Sequence, residues 1–467
     1  MSFPKLAFSR LRIAAAAALL LGLHGVVLAQ TAPAGQELTE RERQLLDRIR
    51  ALEDRLAAVE ARLAAAPAAP APSQAAKPAP QPELSATGDS TSLPGFAAGT
   101  TIDFLLDGYY EYNFNDPVGR VNLLRPFDPT SNSFTLNQGA MVVERAADPS
   151  QGRRWGVRLD LMFGQATESL SGNPTNEPRT APYRNIFQAY GTYIFPLGSG
   201  LTVDFGRFAS SVGFEGSFAK DQIDYTRSLL FAALPFYHMG FRTSYKLSDK
   251  VTATWMLVNG LNQMEDFNGF KSNDLLLSAS LSKSFTWTAN YYFGQEGRDL
   301  VPSAISNLPP ALPTQPGLSI QPVSPTPNGR TQIGDTYFTW NASSKLSFVG
   351  EGDYVISRLY ANSYPTHLLG GAGYVKYQFV PRFSLAGRYE YLSDRGGYLS
   401  GATQALKEAT ITATVQPADG FQLKWEFRRD YSNQLFFLTH APGILSKDQN
   451  TALLALLWWF GGKQGAW

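Results

Sequence analysis

Charged and apolar side chains alternate in several short stretches of this chain. Arg154, Arg158 and Asp160 interleave with Trp155, Val157, Leu159, Leu161 and Phe163. Arg382, Ser384, Arg388 and Glu390 interleave with Phe383, Leu385, Tyr389 and Tyr391, and Gln422, Lys424, Glu426 and Arg428 with Phe421, Leu423, Trp425 and Phe427. In an extended chain successive side chains point to opposite faces, so each stretch has one charged and one apolar face. Mixed charges of this kind pair, hold water and set the field that a passing solute crosses. Bond-making chemistry has no comparable signature. His238, His367 and His440 are scattered, with no serine motif or metal-ligand spacing nearby, and no Gly-x-Ser-x-Gly occurs. Without cysteine there is no disulfide, thiolate metal site or lipid anchor through Cys. No catalytic residue, metal or cofactor is expected.

The elements that must position those charges follow an N-terminal region of different character. Lys5, Arg10 and Arg12 precede an apolar run from Ile13 to Val27, and Val27-Leu28-Ala29 makes a small-residue cleavage site before Gln30. That pattern predicts a signal peptide over residues 1–29. The run is short for a membrane helix, which needs roughly 20 apolar residues. Across 37–66, Leu45, Ile49, Leu52, Leu56, Val59 and Leu63 recur at gaps of four and three. This heptad predicts a coiled coil in which Arg48 meets Glu53 of a neighbouring chain and Arg55 meets Glu60; a lone amphipathic helix lying on another surface is the alternative. Residues 67–100 carry Pro67, Pro70, Pro72, Pro78, Pro80 and Pro82 among Ala, Gln and Ser, and read as an extended linker. The formal net charge of +1 argues against a nucleic-acid partner.

Residues 101–467 read as an all-β region of alternating strands. Alternation alone also describes a half-buried sheet in a soluble sandwich, and the connections separate the two. Tight connections at 148–153, 196–200, 248–250, 282–284, 342–344, 380–382 and 416–420 alternate with long polar ones such as 115–134, 165–184, 209–237 and 294–332. That alternation predicts a transmembrane antiparallel β-barrel of about sixteen strands, with short periplasmic turns, long external loops and a water-filled lumen. Aromatic residues at 13% suit the girdles of such a barrel. The last strand, Asn450 to Phe460, and the terminal Trp467 give it an apolar, aromatic end. With no long apolar run after the signal peptide, strands are the only spanning elements available.

Two stretches resemble a bacterial family of OmpL-like β-barrel porins. One is Leu106-Asp107-Gly108-Tyr109-Tyr110-Glu111-Tyr112-Asn113. The other runs from Tyr225-Thr226-Arg227-Ser228-Leu229-Leu230-Phe231 through Pro235-Phe236-Tyr237-His238-Met239-Gly240 to Val258-Asn259-Gly260. The resemblance implies an outer-membrane channel, brings no catalytic residues and says little about the solute. An Arg or Lys facing lipid at mid-depth costs about 2–4 kcal/mol. Asp103, Asp107, Glu111, Arg154, Arg158, Asp160, Arg382, Arg388, Glu390, Lys424, Glu426 and Arg428 should therefore line the lumen. The third long loop, 209–237, carries Glu215, Lys220, Asp221, Asp224 and Arg227. It is expected to fold inward as the constriction, its acids facing lumen arginines, although an ordinary external loop fits nearly as well. Together these readings describe a porin in the outer membrane, with its coiled coil in the periplasm. It passes small hydrophilic solutes by diffusion and assembles as a homotrimer, as sixteen-stranded porins do. Two rivals are an envelope tether whose coil reaches peptidoglycan, and an outer-membrane barrel enzyme. Loop 294–332, rich in proline and poor in charge, fits a lid, a subunit contact or an exposed tip.

Overall fold

The computed structural model describes residues 99–171, 180–302, 320–463 and 466–467. The expected signal peptide, the coiled coil with its Leu45–Leu63 heptad and almost all of the linker lie outside the described residues. Period-two patterning becomes sixteen strands: β1 (Thr100–Asn113), β2 (Ser133–Arg145), β3 (Trp155–Phe163), β4 (Ile186–Phe195), β5 (Leu201–Ala209), β6 (Tyr237–Lys246), β7 (Val251–Val258) and β8 (Ser272–Ser280), then β9 (Phe285–Gly294), β10 (Thr331–Asn341), β11 (Leu346–Ser357), β12 (Thr366–Val380), β13 (Phe383–Arg395), β14 (Gln404–Ala418), β15 (Phe421–Ser432) and β16 (Asp448–Gly461). Each pairs antiparallel with its sequence neighbours. The last returns to the first, from Asp103 opposite Gly461 to Asn113 opposite Thr451, so the sheet closes. Closure answers every ladder hydrogen bond internally and leaves no edge, the condition a sheet must meet in hydrocarbon. Among the described residues no helix is long and apolar enough to cross a membrane.

All seven expected tight connections gather at one end, the turn end, and the longer ones at the other, the loop end. The contrast in length is less strict than the sequence suggests. The turn between β2 and β3 spans 146–154, while the loop-end connections 358–365 and 396–403 are no longer than that. Its extra length is a helical turn at Pro149–Gln151, closed by a bridge between Asp148 and Arg153. Asp148 accepts from the Ser150 hydroxyl and backbone N–H, which hold its carboxyl below the usual carboxylate range.

Side chains alternate sharply in environment across the wall. On β1, Asp103, Leu105, Asp107, Tyr109 and Glu111 point inward and are buried, while Ile102, Phe104 and Leu106 point outward and are exposed. The outer face of β15 carries Trp425 and Phe427, and β16 adds Trp458 and Phe460. Rings there stack between strands, Phe104 on Phe460 at 5.0 Å and Phe421 on Trp458 at 5.2 Å. Apolar surface of this extent facing water would drive association, and facing lipid it is at rest.

Among the described residues three short α-helices lie in loop-end connections: α1 (Ala166–Ser171), α2 (Thr180–Tyr183) and α3 (Leu229–Ala233). The connection between β5 and β6, residues 210–236, does not stay outside. It enters the barrel, where Tyr225, Arg227, Leu229 and Leu230 are fully buried. A lumen that was expected to be filled with water is packed at this level with protein.

Leu456 faces outward on β16, opposite Gly108 of β1 and Leu423 of β15. Leu456→Arg is expected to destabilise the bilayer-inserted barrel by about 2–4 kcal/mol. Urea titration of the refolded protein in lipid vesicles checks this; a wild-type midpoint would contradict the outward assignment.

Candidate functional site

Neighbouring strands bring the inward charges into rows. On β13, β14 and β15, Arg388 lies level with Thr410 and Arg428, Glu390 with Glu408 and Asp430, and Thr412 with Glu426. Arg388 donates to Glu408 at 2.8 Å and lies 3.5 Å from Glu390. Arg428 donates to Asp430 at 2.8 Å, and Arg125, from the loop between β1 and β2, reaches the same carboxylate at 2.9 Å. Further round the barrel on β3, Arg158 grips Asp160 through two hydrogen bonds of 2.8 and 3.0 Å, and Gln188 adds a third at 2.6 Å.

Most of the remaining polar capacity of the rows is spent on the 210–236 loop, and above all on its backbone. Glu426 accepts from the N–H groups of Tyr225 at 2.6 Å and Thr226 at 3.1 Å. Glu390 accepts from Leu229 at 2.9 Å and Leu230 at 3.2 Å, at the first turn of α3, where free N–H groups point outward and favour an anion. Arg388 donates to the Thr226 carbonyl at 2.7 Å, Lys424 to that of Gln222 at 2.6 Å, and Arg428 to that of Arg227. Further along the wall, the Gly213 N–H donates to Asp335 at 3.2 Å and that of Phe214 to Glu351 at 2.8 Å. The loop therefore touches strands from β1 round to β15, and it crosses the lumen. Charge-assisted bonds of this kind contribute about 1.5–3 kcal/mol each where water is displaced.

Seven of the nine expected pore-lining residues, Arg158, Asp160, Arg388, Glu390, Lys424, Glu426 and Arg428, do point inward, and all are 8% exposed or less because partners cover them. Asp103, Asp107 and Glu111 are inward and buried as well. Arg154 and Arg382 are not on the strands. Arg154 sits in the turn before β3, bonded to the Ile194 carbonyl, and the exposed Arg382 in the turn before β13, bonded to that of Pro417. In both cases the alternation was extended one residue too far into a turn.

Among the loop candidates, Glu215 meets a lumen arginine, Arg388, at 2.8 Å. The others take different partners. Asp224 accepts from the Thr412 hydroxyl at 2.7 Å, and Asp221 pairs with its neighbour Lys220 at 2.6 Å. Arg227 donates to the carbonyls of Gly216, Tyr225 and Ser217 and lies 4.3 Å over the Phe127 ring. It locks the loop's own turn rather than facing a wall acid.

Three features had no clear sequence signal. Arg125 and Phe127 fold in from the first loop and cover the third, with Phe127 edge-on to Phe231 at 5.5 Å. On β10 to β14 several inward positions towards the loop end are apolar, with Ile333, Val355, Leu368, Leu392 and Leu406 fully buried against Leu229 and Leu230. Gly370 of β12 lets this packing close up, since a Cβ there would come 2.5 Å from Leu230. Glu408 and Asp430 were accessible to the alternation rule, because each continues a row already read. Two recesses remain open on the turn side of the loop. One of about 820 Å³ is bordered by Lys220, Asp221, Asp419 and Lys463, and one of about 250 Å³ by Glu144, Arg158, Asp204 and Arg242. Asp335, Glu351 and Asp353 form an acidic group with the spacing of metal ligands.

The two sequence stretches that resemble the OmpL-like porins meet inside the barrel. The Tyr225 hydroxyl donates to Asp107 at 2.9 Å, and Asn137 donates to both, at 3.0 and 2.9 Å. The profile of the family described as "Putative beta-barrel porin-2, OmpL-like" matches residues 99–460, the whole of the barrel. No curated protein matches the chain. Among solved structures it is similar to OmpT of Vibrio cholerae (9% identity, TM-score 0.48, covering 77% of this chain and 97% of that one). It is also similar to an anion-selective porin of Comamonas acidovorans (8%, 0.49, 77% and 99%) and to OprB of Pseudomonas putida (10%, 0.45, 78% and 94%). At those values the likeness adds nothing about this chain's solutes. The family match over the closed sixteen-stranded sheet is decisive: the chain belongs to the OmpL-like β-barrel porin family.

Proposed function

We propose that this outer-membrane porin lets small hydrophilic solutes diffuse passively, with the 210–236 loop as its constriction. The observation that carries the reading is the grip of wall charges on the loop backbone. It fixes the loop across the lumen at the depth where a narrowing would select for size and polarity. The turn-side recesses, lined by Arg158, Arg242, Lys220 and Lys463 against Glu144, Asp204 and Asp221, supply the polar walls of a vestibule. Both signs are present, which suits small polar solutes whose charges are met in passing rather than trapped. The turn end faces the periplasm in this reading, because short turns lie on that side of outer-membrane barrels. The N-terminal segment then emerges in the periplasm, where its heptad joins three chains.

Replacing Glu426→Gln and Glu390→Gln together removes the carboxylates that accept from four N–H groups of the loop backbone. A rise in single-channel conductance and in open-channel noise is expected in planar bilayers, and deletion within 215–224 should go further in the same direction. Unchanged conductance in both would remove the loop from the pore.

Arg158→Gln strips a positive charge from the smaller recess. The reversal potential under a salt gradient should move towards cation preference, and no movement would place the conducting path elsewhere.

Removing residues 37–66 should convert a trimer to smaller species by native mass spectrometry in detergent, while each barrel keeps its conductance. Trimers that persist would take the heptad out of assembly.

A further inference from the structure

Strands β8, β10 and β11 gather four carboxylates beneath the first leg of the 210–236 loop. Asp335 and Asp353 are register partners on β10 and β11, Glu351 lies two residues from Asp353 on the same face, and Asp274 comes from β8. Carboxylate oxygens of Asp335, Glu351 and Asp353 all lie within 4.8 Å of one another. Proximity alone does not make a site. A separate observation concerns how these groups are satisfied. Asp353 is 2% exposed, and neither of its carboxylate oxygens has a hydrogen-bond partner. Asp335, equally buried, leaves Oδ1 without one, and the fully buried Asp274 leaves its own Oδ1 in the same condition. Among the described residues none of the four shares in an ion pair, in contrast to Glu408 and Asp430 on the wall and Glu215 on the loop. Carboxylates buried this close are stabilised either by a shared proton or by a cation held between them.

We infer that Asp335, Glu351 and Asp353 bind a divalent cation of the calcium type. All of the donors are carboxylate oxygens, the choice of a hard cation. Calcium–oxygen distances of about 2.3–2.6 Å place opposite ligands up to about 5 Å apart, which accommodates the observed spread, whereas magnesium at about 2.1 Å would have to contract it. The site also bears on the loop. Asp335 accepts from the Gly213 N–H, and Glu351 from that of Phe214. An ion shared by these carboxylates would fix the two acceptors that hold the start of the crossing segment. The inference does not depend on what the barrel conducts.

The test uses the full-length mature protein in detergent, stripped with a chelator and titrated with calcium chloride by calorimetry. Terbium luminescence excited through tyrosine is the parallel readout, since the Tyr374 hydroxyl lies 3.5 Å from Glu351. One equivalent of calcium should bind saturably, with magnesium at least about tenfold weaker, and thermal unfolding should move to higher temperature. Asp353→Asn and, separately, Asp335→Asn should each weaken binding by at least about tenfold, while the turn variant Asp419→Asn should bind as wild type does. Should one variant fail to fold, the other together with the wild-type titration decides. No saturable binding to the wild-type protein, or binding that survives both substitutions, would overturn the inference.

Discussion

A peptide segment that crosses the inside of a barrel carries its N–H and C=O groups away from water, and each group left unanswered costs about 1–3 kcal/mol. In this porin the answer comes from acidic and basic side chains on the opposite wall. Glu426 and Glu390 accept from the loop, while Arg388, Arg428 and Lys424 donate to it. A backbone needs donors and acceptors in equal measure, and this accounts for both signs of charge on one patch of wall. The pairs between wall residues, such as Arg388 with Glu408, hold the gripping groups in place and offset their burial.

Apolar packing completes what the charges begin. α3 is only a few residues long and would not persist alone in water. It is stable because Ser228 caps it, Glu390 meets its free N–H groups, and Leu229 and Leu230 settle among Ile333, Leu368 and Leu392. The lumen thus has an apolar patch on β10 to β14 towards the loop end, charged rows where the loop is gripped, and open polar recesses towards the turn end. A sixteen-stranded cylinder is wide enough for all three.

Much of the barrel was legible because one physical rule writes it. Where one face meets lipid and the other does not, the pattern must have period two, and Phe421 to Arg428 or Trp155 to Phe163 show it without help from context. Strand ends were less legible, since Arg154 and Arg382 keep the alternation for one residue after the ladder has stopped. The backbone partners of the charges were not legible. A backbone carbonyl such as that of Thr226 has no residue type, so nothing in the sequence announces it as the acceptor for Arg388. Glu215 was found because both members of its pair are side chains. The inward apolar patch was missed for a related reason: Ile333 or Leu406 alone does not say which side of a strand it occupies, and only the register with its neighbours does.

The spans of these contacts have a kinetic consequence. Leu229 bonds to a residue 161 positions later and Tyr225 to one 201 positions later. In chain order the crossing segment comes long before the strands that hold it, and until β13 to β15 are in place its amides have only water or a chaperone to satisfy them. Loop closure over such distances is slow. The grip on the segment can therefore form only once β13 to β15 have joined the sheet, so its docking comes late in folding.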